Sequence, residues 1–210
     1  MIATDLQAGR YDYIGLVAEL KKSEYWVLLM RAYGELRTEF LYKSRTHGMT
    51  HIERVMLLGA IIAMQQGFSA RETELLLIAC SYHDIGRRDD SADKWHGKRG
   101  ADYLPLIPLP EISKEELRCV QTAIATHSAR DSWIDSFAEE YGVGDEDIAL
   151  CRLLCKALKD ADNLDRVRIH DLDVNRLRFA ESKKMKPTAE AIYYQGKAIR
   201  AQERQEKIID

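Results

Sequence analysis

"ELLLIACSYHDIG", Glu74–Gly86, decides how the chain is read. It is apolar from Leu75 through Tyr82 apart from Ser81, then ends in a His-Asp pair, His83-Asp84. Upstream, Ser69 precedes Glu72 by three residues, the spacing of a capping box that opens a helix. Downstream, Gly86 suits the position just past a helix end. The stretch is predicted to be a buried helix that delivers an imidazole and a carboxylate at its C-terminal end.

Working outward, the same pattern recurs. Thr50 precedes Glu53, and Ser113 precedes Glu116, at capping-box spacing. Ile52, Val55, Met56, Gly59, Ile62 and Ala63 make one apolar stripe after Thr50, and Leu117, Val120 and Ile124 make another after Ser113. A helix from about Asp145 carries Leu150, Leu154, Ala157, Leu158 and Ala161. A helical segment between Tyr11 and Tyr42 is expected to break near Gly34. A short helix is expected from about Asp93 to before Pro105. "LPLIPLPEI", Leu104–Ile112, holds three of the four prolines and reads as a connector. The tail from Pro187 is polar and helix-prone, either an amphipathic helix packed on the body or a frayed end. Strand signals are scarce. The expectation is an all-α, compact single domain over residues 1–210, with roughly seven to ten helices.

Composition narrows the function. The net charge of -3 implies no field for a nucleic-acid polymer or an anionic membrane. There is no apolar h-region at the N-terminus and no run of 18 apolar residues, so neither export nor a membrane span is expected. Cys80, Cys119, Cys151 and Cys155 form no CxxC pair and read as reduced core residues. A cytoplasmic protein is expected.

The informative residues are polar groups on apolar helix faces. His83 and Asp84 end one apolar run, His127 continues the Val120–Ile124 stripe, and Asp162 follows Leu158 and Ala161. His51 opens the helix after Thr50, and His96 lies on the short helix with Gly100 one turn on, where a neighbouring backbone can approach. A single such histidine is ordinarily a hydrogen-bonded core residue. Asp84 resists the ordinary reading, because a helix C-terminus disfavours a carboxylate and a buried unpaired one is costly. A cation would resolve both. His51, near a helix N-terminus, is held neutral, the state in which imidazole binds metal. Four imidazoles and two carboxylates suit Fe, Mn, Co, Ni or Zn, with Mg also compatible, and the absence of thiolates argues against a structural zinc site.

These residues resemble the HD-domain superfamily of metal-dependent phosphohydrolases, which are all-α. "HIERVMLLG" resembles the family's first helix, with its ligand at His51; "SYHDIGRR" resembles the defining pair, His83 and Asp84; "KDADNLDRVR" resembles the last motif, with its ligand at Asp162. "WHGKRGADYL" and "ATHS" resemble the added elements of members that bind two metals, at His96 and His127. The resemblance spans about residues 45–170. It implies one ion on His51, His83, Asp84 and Asp162, and another on His96, His127 and a bridging Asp84. The Gly-Tyr-Pro segment of the cyclic-dinucleotide branch is absent, as is the Glu-Asp pair that follows HD in alarmone hydrolases.

The implied chemistry is hydrolysis of a phosphoester or pyrophosphate bond by metal-activated hydroxide. The expected substrate is a nucleotide or another small phosphorylated molecule. Among nearby cations, Arg87 is expected to serve both catalysis and phosphate binding, with Arg88, Lys98 and Arg166 as further binders. Lys159 is expected to assist catalysis, unless it or Arg166 pairs with Asp160 or Asp165, and His47 is expected to touch substrate. Lys94 and Arg99 belong to the same basic cluster. Tyr25, Trp26, Tyr33, Tyr193 and Tyr194 read as packing residues. Two competing functions are a di-iron oxygenase of the inositol oxygenase type and a metal-binding signalling module without catalysis. A homo-oligomer is compatible with the sequence.

Overall fold

The structure, a computed structural model, describes residues 2–209. Among the described residues are ten α-helices and no strand. They are α1 Ile2–Gln7, α2 Gly15–Leu20, α3 Glu24–Glu35, α4 Met49–Gln66, α5 Ala70–Tyr82, α6 His96–Tyr103, α7 Lys114–Thr126, α8 Ile134–Tyr141, α9 Ile148–Leu164 and α10 Lys186–Ile209. Short 3-10 turns join several of them. The fold is all-α, as the periodicity predicts.

The core is built on α4, α5, α7 and α9, which pack against one another. Every residue of α4 from His51 to Ala63 is buried, so this helix has no solvent face and occupies the middle of the fold. α3 covers α4 and α5, α6 lies on α7, and α8 bridges α7 and α9. α10 packs on the 3-10 turn Asp165–Ile169 and on α4, burying Ala189, Ile192 and Ile199. The tail is therefore an amphipathic helix on the body. All four cysteines are buried and free.

Two of the three predicted capping boxes form. Ser69 with Glu72 opens α5, and Ser113 with Glu116 opens α7. The Thr50–Glu53 box does not form: α4 begins at Met49 with Gly48 as its N-cap. Thr50 is therefore already helical, and Glu53 is buried in the core. Gly86 is not a left-handed cap either; among the described residues only Gly9, Gly67, Gly142 and His170 have positive φ. The chain leaves α5 by a right-handed turn through His83. The glycine at residue 86 answers a steric demand instead, since a Cβ there would lie 2.1 Å from the His96 carbonyl oxygen. The N-terminal helical segment is interrupted at Lys21–Ser23 as well as after Glu35, and α9 begins three residues later than expected.

Candidate metal centre

Each of the six predicted polar residues sits at or near a helix end. His51 is in the first turn of α4; His83 and Asp84 follow α5; His96 is the first residue of α6; His127 follows α7; Asp162 is in the last turn of α9. Packing of α4, α5, α7 and α9 brings these ends together. α6 is added by two close backbone approaches. Gly86 fits against the α6 backbone, and a Cβ at Gly97 would meet the Ile124 carbonyl oxygen at 2.6 Å. Only glycine permits either approach.

The side chains converge. Nε2 of His51 lies 3.1 Å from Nε2 of His83, and Nε2 of His96 lies 2.8 Å from Nε2 of His127. Asp84 stands between the two pairs. Its Oδ2 is 3.5 Å from His51 Nε2 and 3.7 Å from His83 Nε2, while its Oδ1 is 3.1 Å from His96 Nε2 and 3.7 Å from His127 Nε2. Asp162 Oδ1 is 3.4 Å from His51 and 3.7 Å from His83. Three overlapping triplets have their ligand atoms within 4.8 Å of one another: His51, His83 and Asp84; His83, His127 and Asp162; Asp84, His96 and His127.

The outer face of each ring fixes its tautomer. Nδ1 of His83 donates to the Cys80 carbonyl at 2.9 Å, and Nδ1 of His127 donates to the Ile124 carbonyl at 2.6 Å. Nδ1 of His96 donates to the Asp93 carbonyl. Nδ1 of His51 donates to Asp165 Oδ2 at 2.7 Å. These oxygens accept and do not donate, so each neutral ring carries its hydrogen on Nδ1 and turns the Nε2 lone pair inward. Burial pushes His83 down to about 3 and also lowers His96, which keeps those rings neutral. Burial and Arg168 pull His51 down, but the Asp165 and Asp84 carboxylates outweigh them and raise it. Inward lone pairs at 2.8 and 3.1 Å from one another repel. Asp84 Oδ2 is buried with no hydrogen-bond partner among the described residues. The donor set fits one or two cations and is poorly satisfied by anything else.

Behind the centre lies a support not expected from the sequence. Asp165, fully buried, receives Nη2 of Arg54 at 2.9 Å as well as His51. Burial alone would raise its carboxyl, but the Arg54 guanidinium outweighs it and holds the group below the usual carboxylate range. The signal was in the spacing. Arg54 is three residues past His51 and Asp165 three past Asp162, so two i,i+3 pairs interlock.

In front lies an open cleft of about 1520 Å³, with His96, His127 and Asp162 on its lining. Arg87, Arg88, Lys94 and Arg99 line it from the segment after Asp84, and Arg130, Arg166, Arg176 and Arg178 line it from elsewhere. Cations outnumber carboxylates along it, in a chain whose net charge is negative. Arg87 Nε donates to Asp84 Oδ1 at 2.8 Å. Arg99 pairs with Asp93, Arg166 with Asp171 and Arg178 with Asp131. Arg88, Lys94 and Arg130 line the cleft and have no ion pair among the described residues. His47 lines the cleft with Nδ1 2.9 Å from Asp90.

Two expected residues are elsewhere. Lys98 pairs with Asp102 at 2.8 Å and Glu140 at 2.9 Å and does not line the cleft. It is two residues past His96, which turns it about 200° round the helix. Lys159 is buried, with Nζ 2.9 Å from the Ala129 carbonyl and 2.6 Å from Asp131. Its partner is thus neither Asp160 nor Asp165, and it holds the segment after His127 without facing the cleft.

No curated protein and no solved structure matches the chain. A family model does: the HD domain matches residues 48–167, which contain all six converging residues. On that match and on the His/Asp cluster it encloses, the chain belongs to the HD domain family, whose members are generally metal-dependent phosphohydrolases.

Proposed function

We propose that this chain is a metal-dependent phosphohydrolase cleaving a phosphoester or phosphoanhydride bond of a nucleotide or another small phosphorylated molecule. One observation carries the reading. Asp84 directs one oxygen toward His51 and His83 and the other toward His96 and His127, behind a cleft rich in guanidinium groups. In this reading His51, His83, Asp84 and Asp162 hold one divalent ion, and His96, His127 and Asp84 hold a second. Such ions, when bound, lower the pKa of water and polarise a phosphoryl oxygen.

The chain's own residues do the rest. Arg88, Lys94 and Arg130 are free to take phosphate oxygens, and a guanidinium does so with two parallel hydrogen bonds. Arg87 holds Asp84 Oδ1 in place and neutralises part of its charge. Asp165 and the Cys80, Asp93 and Ile124 carbonyls hold the four imidazoles in the ligating tautomer. Lys159 is assigned a positioning role. Asp162, about one-fifth exposed, faces the cleft and has room for a water or a phosphate oxygen beside it. The helices outside the family match pack on those within it, and we take the chain as one domain.

The test is elemental analysis of the purified chain, then phosphate release from a phosphoester panel with added Mn or Fe, in air and without oxygen. Phosphate release that needs metal and not oxygen is expected. Oxygen-dependent product without phosphate would assign the centre to an oxygenase. Full metal content and no turnover on any substrate would leave a binding module.

A further inference from the structure

Trp95 stands immediately before His96 and forms the N-cap of α6. It is 46% exposed, although large and apolar. It lines the cationic cleft and also a second hollow of about 330 Å³, which Lys98, Trp133, Ser136, Phe137 and Glu140 complete. The ring is not isolated. Its centre lies 5.7 Å from Trp133, which lies 6.2 Å from Phe137. Lys94, one of the unpaired cations of the cleft, carries its Nζ 5.2 Å from the same Trp95 ring centre. The two indole planes lie 36° apart, so both rings wall the hollow and Trp133 holds Trp95 in place while leaving it exposed.

We propose that Trp95, backed by Trp133, is the subsite for a planar aromatic group of the substrate, a nucleobase, while the phosphate lies at the metal centre. This rests on the phosphohydrolase reading above. Continuity is the first argument: Trp95 belongs to both spaces and adjoins a residue of the centre. The chemistry of the hollow is the second. Its lysine and glutamate are bonded to each other at 2.9 Å, and Lys98 also binds Asp102. Ser136 and the two indole N–H groups are the remaining polar groups on its wall. A sugar ring needs several hydrogen-bonding partners for its hydroxyls, and the wall offers few; a π-face needs none. The third is Lys94, which lines the cationic cleft and carries its charge beside the Trp95 ring, where a phosphate joined to a base would pass. The same lack of free polar groups means that base edges are not read. The subsite favours a base over no base and discriminates little between adenine and guanine.

The test is calorimetric titration of the full chain, as isolated, with adenosine monophosphate, guanosine monophosphate and ribose 5-phosphate. The two nucleotides are expected to bind alike and at least about fivefold tighter than ribose 5-phosphate, the lower end of what base stacking contributes. Trp95→Leu should abolish that margin and leave ribose 5-phosphate binding unchanged, whereas Trp95→Phe should retain most of it. In the unmodified chain, nucleotide should quench tryptophan emission and ribose 5-phosphate should not, a readout that needs no variant. Equal binding of all three ligands, or a margin that survives Trp95→Leu, overturns the subsite. Phosphate release without a base-dependent margin sinks this inference alone; a margin without phosphate release from any ester sinks the hydrolase reading alone.

Discussion

Asp165 accepts a hydrogen bond from His51 at 2.7 Å while both residues are inaccessible to solvent. The ion pair of Asp165 with Arg54 keeps that carboxylate charged, and on the proposed metal reading the charge would make His51 a stronger ligand with its lone pair inward. Asp165→Asn removes the charge and leaves the Arg54 guanidinium buried beside a neutral amide. Metal affinity should fall about 10- to 100-fold, and stability should drop by roughly 3–5 kcal/mol because a buried cation loses its partner. Competition against a chromogenic chelator and thermal melting measure the two effects. Unchanged affinity would remove Asp165 from the support of the centre.

Asp84 faces both histidine pairs, so on the proposed two-ion reading its loss should affect both ions. Asp84→Asn should reduce bound metal below one ion per chain and reduce phosphate release to background, with helical content retained. Elemental analysis and circular dichroism check this. Loss of activity at full metal content would show that the carboxylate is not a ligand.

Removing metal should destabilise the fold, because it leaves four inward lone pairs and an unpartnered Asp84 oxygen at the meeting point of α4, α5, α6, α7 and α9. A ligand present at a hundredfold excess over its Kd stabilises by about 2.7 kcal/mol. For a chain of this size that corresponds to a Tm shift of roughly 5–10 °C. Chelation should lower Tm by that amount and added Mn or Zn should restore it. A melting curve indifferent to chelator would mean that no ion holds these helix ends.

What the sequence made legible was local. The Ser69 and Ser113 capping boxes concern residues three apart and stand as expected. His83, Asp84, His127 and Asp162 stood out because they end or continue an apolar stripe, His51 because it opens one, and His96 because a short helix with a glycine one turn on carries it; helix packing brings their side chains within reach. What was not legible depends on contacts between distant segments. Thr50 matched its motif, but the Gly48 turn starts the helix earlier and the core takes Glu53. Arg178 reaches the cleft from a segment with no signal linking it to Asp131 or Asp160, which hold it there. Lys98 was legible in principle, since helical rotation from His96 already turns it away.

That rotation gives a paired prediction. Arg88→Ala should raise KM for a phosphorylated substrate roughly 10-fold or more, with metal content unchanged, because a charge-assisted hydrogen bond contributes about 1.5–3 kcal/mol. Lys98→Ala, nearer still in sequence to the centre but outside the cleft, should leave KM within twofold for a phosphoester that carries no base. Steady-state kinetics on one phosphoester decides it. Equal effects from both variants would mean that proximity in sequence, and not the cleft, governs substrate binding.

The opening turns of α5 and α7 are tied by Arg71, whose Nη2 lies 2.6 Å from Glu116. Arg71 holds the Glu116 carboxyl down at about 2, against 4.5 for the free group. A carboxyl with a depressed folded pKa stabilises the fold above its unfolded pKa, and that stability is lost as pH falls from about 4.5 toward 2. Arg71 is 42% exposed, so solvent screens the pair and the contribution should be about 1 kcal/mol, well under the full shift. Glu116→Gln retains an acceptor for the Ser113 backbone N–H, so the capping box survives and only the charge is lost. Denaturant melts should therefore show the variant less stable at pH 7, with the difference shrinking below about pH 4.5 and most of it gone by about pH 2. Metal content should not change, because Glu116 lies at the opposite end of α7 from His127. A difference that persists unchanged at pH 2 would mean that the carboxylate acts through packing and not through its charge.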